Sequence, residues 1–178
     1  MNILTFGKGI HPDEKKQITE NKKIEILEAP KTVYIPLLQH IGSPVEAVVK
    51  IGDYVRAGQK IGDSAAFMSA PIHSAVSGKV IGIETRVFPV SGFVKTVIIE
   101  NDEKNEEMEY GHIEDFTKYT GDELLSIIRD KGIVGQGGAA FPTHIKLNPP
   151  KDKNIDTLII NGAECEPYLN GDNRTMIE

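Results

Sequence analysis

The stretch "VVKIGDYVRAGQKIG", Val48 to Gly62, decides how the first half of the chain reads. Gly52-Asp53 marks one turn and Ala57-Gly58 the next, because glycine accepts positive φ and aspartate closes a turn with its own side chain. Around those turns Val48, Ile51, Val55 and Ile61 are expected to point inward. Similar apolar runs flank the stretch: "KTVYIPL" (31–37) and "EAVVKI" (46–51), then "GKVIGIE" (78–84) and "KTVIIE" (95–100). Gly, Pro, Asp and Ser punctuate them at the spacing of a small all-β sandwich or barrel, over residues 31–100. A second half, "SAPIHSAVSGKVIGIE", carries Ser77-Gly78 as its expected turn.

Through "VKIGDYVRAGQKIG" and "SGKVIGI" this region resembles the biotinyl/lipoyl-type hammerhead, a barrel-sandwich hybrid. In carrier proteins of that family the hairpin between the two pieces presents a lysine for covalent modification. Here the intervening "DSAAFMSAPIHSA" (63–75) holds no lysine, and Lys60 and Lys79 stand outside it. The resemblance therefore implies a structural or docking module rather than a carrier.

The bulk composition narrows the partners. Among 178 residues, 20 Lys and Arg against 26 Asp and Glu give a net charge of −6, with no basic run, which argues against nucleic acid. No apolar stretch approaches a membrane span and the opening residues lack a signal-peptide core, so a cytoplasmic chain that docks on a membrane partner is expected. The single cysteine, Cys165, excludes an intrachain disulfide or a cysteine-built cluster within these residues. Glu164 and Glu166 flank it, an acidic setting that argues against a nucleophilic role. His11, His40, His73, His112 and His144 show no ligand spacing and read as individually structural. The charge-rich "NDEKNEEME" (101–109) reads as a solvated break, which sets the expected boundaries: an arm over 1–30, the barrel over 31–108, and an α/β region over 109–178.

Past that break, "TGDELLSIIRDKG" predicts a helix. Thr120 and Glu123 form a capping box, Leu124, Leu125, Ile127 and Ile128 an apolar face, and Gly132 a stop. "GQGGAAFPTHIKL" (135–147) follows, with far more glycine than a turn needs, as if something were to lie on its backbone. A helix beginning at Pro142 would aim free N–H groups back at the loop, and Lys146 adds a charge one turn on, which suits a phosphate. Glycine-alanine loops also serve close packing of two elements, and spacing alone leaves both readings open. "DTLIING" (156–162) reads as a strand buried on both faces, and "NGAECEP" (161–167) follows at its carboxyl end, where α/β sheets bind ligands. An exposed acidic turn is the plain alternative there.

The loop and the turn together resemble the flavin-binding domain of the NADH-oxidising flavoprotein subunit of respiratory complex I. That family has a Gly-Arg-Gly-Gly-Ala-Gly-Phe-Pro-Thr-Gly-x-Lys loop and an Asn-Ala-Asp-Glu-Gly-Glu-Pro turn. Gly135, Gly137, Gly138, Ala139, Phe141, Pro142, Thr143 and Lys146 match the loop; Asn161, Glu164, Glu166 and Pro167 match the turn. The resemblance implies that the loop and Lys146 hold FMN, and that Asn161 and the glutamates lie near the flavin and the nicotinamide of NADH. Glutamates there would disfavour an anionic reduced flavin and lower its potential.

Gln136, Ala140, His144, Ala163 and Cys165 depart from the complex I pattern. With the hammerhead-like module, and with "TFGKGIHP" (5–12) and "LLQHIGSPVEAVVKIGDYVRAGQKIG" (37–62), the whole chain is similar to the RnfC family, the C component of Rnf ion-translocating oxidoreductases. The fold implied is α+β: an all-β barrel-sandwich hybrid, then the start of an α/β FMN-binding domain. The function implied is electron exchange among NAD(H), FMN and iron–sulfur clusters, with ferredoxin further along and Na+ or H+ moved by membrane-embedded partner subunits. The place implied is peripheral, on the cytoplasmic face of the membrane. Two four-iron clusters are expected in a C-terminal region beyond residue 178, so the chain reads as an N-terminal fragment, inactive alone. Soluble relatives of cobalamin-reductase or proline-reductase type share this architecture and are the alternative, with the fragment itself a docking module.

Overall fold

The computed structural model describes residues 12–89, 92–150 and 152–178. Apart from Pro12, the opening "TFGKGIHP" stretch lies outside the described residues, and His11 with it. The chain divides into two units: residues up to Glu28 together with Asn154–Glu178, and Ala29–Lys153.

The described strands all belong to the Ala29–Lys153 unit. They are β1 (Thr32–Pro36), β2 (Glu46–Ala47), β3 (Tyr54–Val55), β4 (Lys60–Asp63), β5 (Ile72–His73), β6 (Gly78–Phe88) and β7 (Gly92–Asn101). They form two antiparallel sheets, in the orders β1-β7-β6-β3 and β2-β4-β5. Alternating inward side chains from both sheets make one core, in which Leu37, Val55, Ile61, Val80, Val97 and Ile99 have no exposed surface. Each such side chain is worth about 1.5–3 kcal/mol of burial. The expected barrel-sandwich hybrid is present.

Its inner register differs from the expected one. Val55 and Ile61 face inward, but Val48 is 56% and Ile51 64% exposed. Counting by two from buried Val45 puts Val49 inside and Val48 outside. Ile51 has already entered the turn at Gly52, where φ is +98°. Ser77-Gly78 is not a turn either. The bend falls at Ala75-Val76, and Gly78 opens β6 opposite Asn101 with φ +152°. A side chain at Gly78 would overlap the Glu100 carbonyl, so glycine is required there by strand contact.

The charge-rich 101–109 stretch is tied to the barrel rather than left free. Ala57 N–H donates to Glu106 O and Met108 N–H to Ala57 O, both at 2.9 Å. Tyr54 Oη and Ser77 Oγ donate to the Asp102 carboxylate at 2.8 and 2.6 Å, and the Ser77 bond first of all holds its pKa below the usual value.

Helix α1 (Gly121–Asp130) forms as its capping box predicts. Glu123 N–H donates to Thr120 Oγ1 at 3.3 Å, and Thr120 N–H returns to Glu123 Oε2 at 2.7 Å. Gly132 ends it with φ +67°, backed so closely by the Pro71 carbonyl and His73 that no side chain would fit. The helix expected from Pro142 is a single turn, α2 (Thr143–Lys146), with Pro142 in the capping position and no side-chain cap.

In the other unit, helix α3 (Gly171–Ile177) is held by the N-terminal segment. Tyr168 N–H donates to Glu14 O at 2.8 Å, Thr19 Oγ1 to Tyr168 O at 3.0 Å and Arg174 Nη1 to Glu20 O at 3.2 Å. The expected strand over 156–162 does not form: Leu158, Ile159 and Ile160 are 75–83% exposed. A strand requires a ladder partner for its N–H and C=O groups, and this unit has none among the described residues.

Candidate functional site

The glycine loop is a closed structure built on backbone bonds. Thr143 N–H donates to Ile133 O at 3.0 Å and Gly135 N–H to Phe141 O at 2.9 Å, with Val134 bridging Pro142 between them. At the tip Ala140, at φ +43°, donates to Gly137 O at 3.0 Å. These bonds consume the amides at the base. The amides of Gln136, Gly137, Gly138 and Ala139 donate to no acceptor among the described residues.

Lys146 reaches back over this backbone. Its Nζ lies where it would be 2.8 Å from a Cβ added at Gly135, and 5.8 Å from the Phe141 ring centre. Nothing lies within 4 Å of a Cβ added at Gly137 or Gly138, so packing inside the chain does not demand those glycines. Four successive unspent N–H groups, with the Lys146 ammonium against Gly135 at the start of the run, form a donor set of the kind that suits a phosphate group. Phe141 and Thr143 complete the loop, the ring of Phe141 half-buried.

Two cavities adjoin the loop within its own unit. One, of about 290 Å³, is lined by Gly135–Gly137 on one wall and by Gln39, His40 and His73 on the other. The second, of about 550 Å³, lies between Leu38–Gly42 and Gly138–Ala140. Ile41 N–H donates to Ala139 O at 3.1 Å across this face. Sequence reasoning missed these barrel residues as site neighbours, although "LLQHIG" carried part of the family likeness. Burial pushes the His73 pKa down, favouring a neutral ring on the cavity wall. His40 is buried; its Nδ1 lies 3.2 Å from Ile41 O, and its Nε2 lies 3.1 Å from both the carbonyl oxygen and the amide nitrogen of Ala70. His144 is also held below its ordinary pKa by burial, and its Nδ1 has no partner among the described residues.

Asn161, Glu164 and Glu166 belong to the other unit. Asn161 Oδ1 accepts Ala163 N–H at 3.0 Å, a local turn contact. The Glu164 carboxylate accepts the amides of Asp172 at 2.9 Å and Asn173 at 3.2 Å, satisfying the start of α3. The Asp172 amide is the main reason its pKa is lowered. Its backbone carbonyl accepts Lys16 Nζ. Glu166 and Cys165 are exposed. Among the described residues no cluster of three or more His, Cys, Asp or Glu could hold a metal, and no helix is long and apolar enough to cross a membrane.

Comparison with known proteins cuts across this division into units. Residues 4–104 match the RnfC barrel sandwich hybrid domain, and residues 128–178 the Nuo51 FMN-binding domain. Over 177 residues the chain is 48% identical to the C component of the proton-translocating ferredoxin:NAD(+) oxidoreductase complex of Clostridium ljungdahlii, covering 99% of this chain and 39% of that protein. It is 42% identical over 182 residues to the Na(+)-translocating counterpart of Acetobacterium woodii, covering 99% of this chain and 40% of that one. The C component of an ion-translocating oxidoreductase complex of Rhodobacter capsulatus is 41% identical over 174 residues, covering 96% of this chain and 33% of that protein. The chain thus spans about two fifths or less of the length of these relatives.

Proposed function

The chain belongs to the RnfC family, and from that premise we propose that it supplies the phosphate end of an FMN site in an ion-translocating ferredoxin:NAD+ oxidoreductase. The observation that carries the reading is the glycine loop: four unspent amides from Gln136 to Ala139 beside the Lys146 ammonium. The amides of Gln136, Gly137, Gly138 and Ala139 would receive the phosphate, while Gly135, its own amide spent on Phe141 O, leaves room for Lys146 to neutralise the charge, and Phe141 and Thr143 hold the loop's return. The match of residues 128–178 to the Nuo51 FMN-binding domain supports this assignment. Bound FMN would supply the conversion between a hydride from NADH and single electrons.

The turn residues have unequal standing in this reading. Glu164 already accepts two amides at the start of α3, so its contribution is to hold the turn, and Asn161 is likewise spent on the Ala163 amide. The full-length protein would pass electrons to four-iron clusters outside this chain and exchange them with ferredoxin, coupled to Na+ or H+ movement by membrane-embedded partner subunits. It would sit peripherally on the cytoplasmic face of the membrane. The barrel is not a lipoyl or biotinyl carrier: the hairpin has no lysine, and Lys60 is engaged with Asp63 and Asp130 at 3.0 and 3.3 Å.

The test is quenching of FMN fluorescence, titrated with this chain and with the full-length Clostridium ljungdahlii relative. Saturable quenching by the relative that Lys146→Ala weakens at least about tenfold supports the reading. Quenching indifferent to that substitution, or none with either protein, removes it. Quenching by the relative alone assigns the 178 residues on their own to docking.

A further inference from the structure

The loop proposed to hold FMN is attached to the barrel at its root on α1, at Gly132 and at its tip. At the root, Arg129 on the last turn of α1 sends Nη2 to Asp63 Oδ1 at 3.0 Å and to Ser64 O at 2.6 Å. Both ionic side chains are only 27% exposed. Lys60 Nζ joins the same group, 3.0 Å from Asp63 and 3.3 Å from Asp130. Two residues past the helix, Gly132 lies against the Pro71 carbonyl and His73. At the tip, Ala139 O accepts the Ile41 amide at 3.1 Å.

All these partners on the barrel side come from two connections: 38–42 and the β4–β5 region, 60–73. By contrast the loop's own bonds close only its base and one tip turn. A loop of glycine and alanine has little side-chain packing of its own, so its unspent amides keep a common direction only if something else fixes both ends. A partly buried, doubly bonded arginine is the strongest of the attachments.

We propose that the barrel is the positioning platform of the glycine loop, and that Arg129 and Asp63 are its positioning residues, acting on the phosphate site without touching the ligand. The pair fixes where α1 ends, Gly132 brings the chain against the barrel, and the Ile41 amide sets the tip. This rests on the FMN reading for its functional consequence, while the positioning itself is measurable without FMN.

The test is amide hydrogen exchange on the 178-residue chain and on Arg129→Met, Asp63→Asn and Arg129→Lys, with thermal melts alongside. In Arg129→Met and Asp63→Asn, the hydrogen-bonded amides of Ile133, Gly135, Ala140 and Thr143 should exchange about tenfold faster, while those of 97–99 in β7 stay as slow as before. Arg129→Lys, which keeps the charge, should recover part of the protection. In a full-length relative that binds FMN, the methionine variant should release FMN about tenfold faster. Unchanged exchange at Ile133, Gly135, Ala140 and Thr143 in both charge-removing variants would overturn the proposal, as would an increase spread equally over β7, which would signal lost stability alone. If the unmutated protein failed to bind FMN, the functional reading would fall and the exchange data would still decide the platform.

Discussion

Two segments of this chain are almost the same words in different settings. Thr96-Val97-Ile98-Ile99 lies in β7, between β1 and β6, and its apolar side chains are 0–6% exposed. Thr157-Leu158-Ile159-Ile160 stands without a ladder partner among the described residues, and its apolar side chains are 75–83% exposed. Local propensity is equal in the two. What differs is that β7 has neighbours on both edges to take its N–H and C=O groups, and a facing sheet to take its side chains. Burial here is a property of pairing and not of the run of letters.

That contrast yields its largest effect in the core. Ile99→Ala should cost about 2–5 kcal/mol in a urea melt of the 178-residue chain, whereas Ile159→Ala should stay within about 0.5 kcal/mol. A large loss at Ile159 would show that the second segment is packed after all. Glycines divide in the same way. Gly78→Ala, forced against the Glu100 carbonyl at φ +152°, should cost about 1–3 kcal/mol, while Gly137→Ala, with open space around it, should leave stability within about 0.5 kcal/mol. If Gly137→Ala nonetheless weakened FMN binding in a full-length relative, the glycine would be kept for the ligand and not for packing.

Smaller effects test the helix and the platform. Thr120→Ala removes the cap of α1 and should cost about 1 kcal/mol, read from the same melts. The pH dependence should be smaller still. Partial burial would raise the Asp63 pKa, but bonds from Lys60, the Ser64 amide and Arg129 outweigh it and hold the carboxyl below its ordinary value. Its contribution is therefore complete above the unfolded value of about 3.9 and is lost as pH falls through the lower folded value. Asp63→Asn should flatten that part of an acid titration of stability; an unchanged acid limb would mean the pair contributes nothing.

The barrel is legible in the sequence because turns and branched residues recur at strand spacing, and the two sheets then follow from burial. Helix α1 is legible from Thr120, Glu123 and Gly132 alone, since capping is decided within a few residues. The register of Val48 and Ile51 is not, because it depends on where β2 ends and the Gly52 turn begins. The strand expected over 156–162 fails because periodicity says nothing about partners. The loop's glycine run and Lys146 stand out in the sequence, but its barrel neighbours Gln39, His40 and His73 do not. They stand about sixty to a hundred residues away, and only the folded chain brings them to the loop. Glu164 reads as a free acid and instead serves α3, a contact that no spacing rule marks.

If the glycine loop with Lys146 is a phosphate site, FMN and riboflavin must bind unequally. In a full-length relative FMN should bind at least about a hundredfold tighter than riboflavin, as a charge-assisted phosphate site requires. Lys146→Ala should shrink that ratio by loss of FMN affinity while leaving riboflavin binding unchanged. Equal affinities for the two flavins, or a ratio untouched by Lys146→Ala, would contradict it.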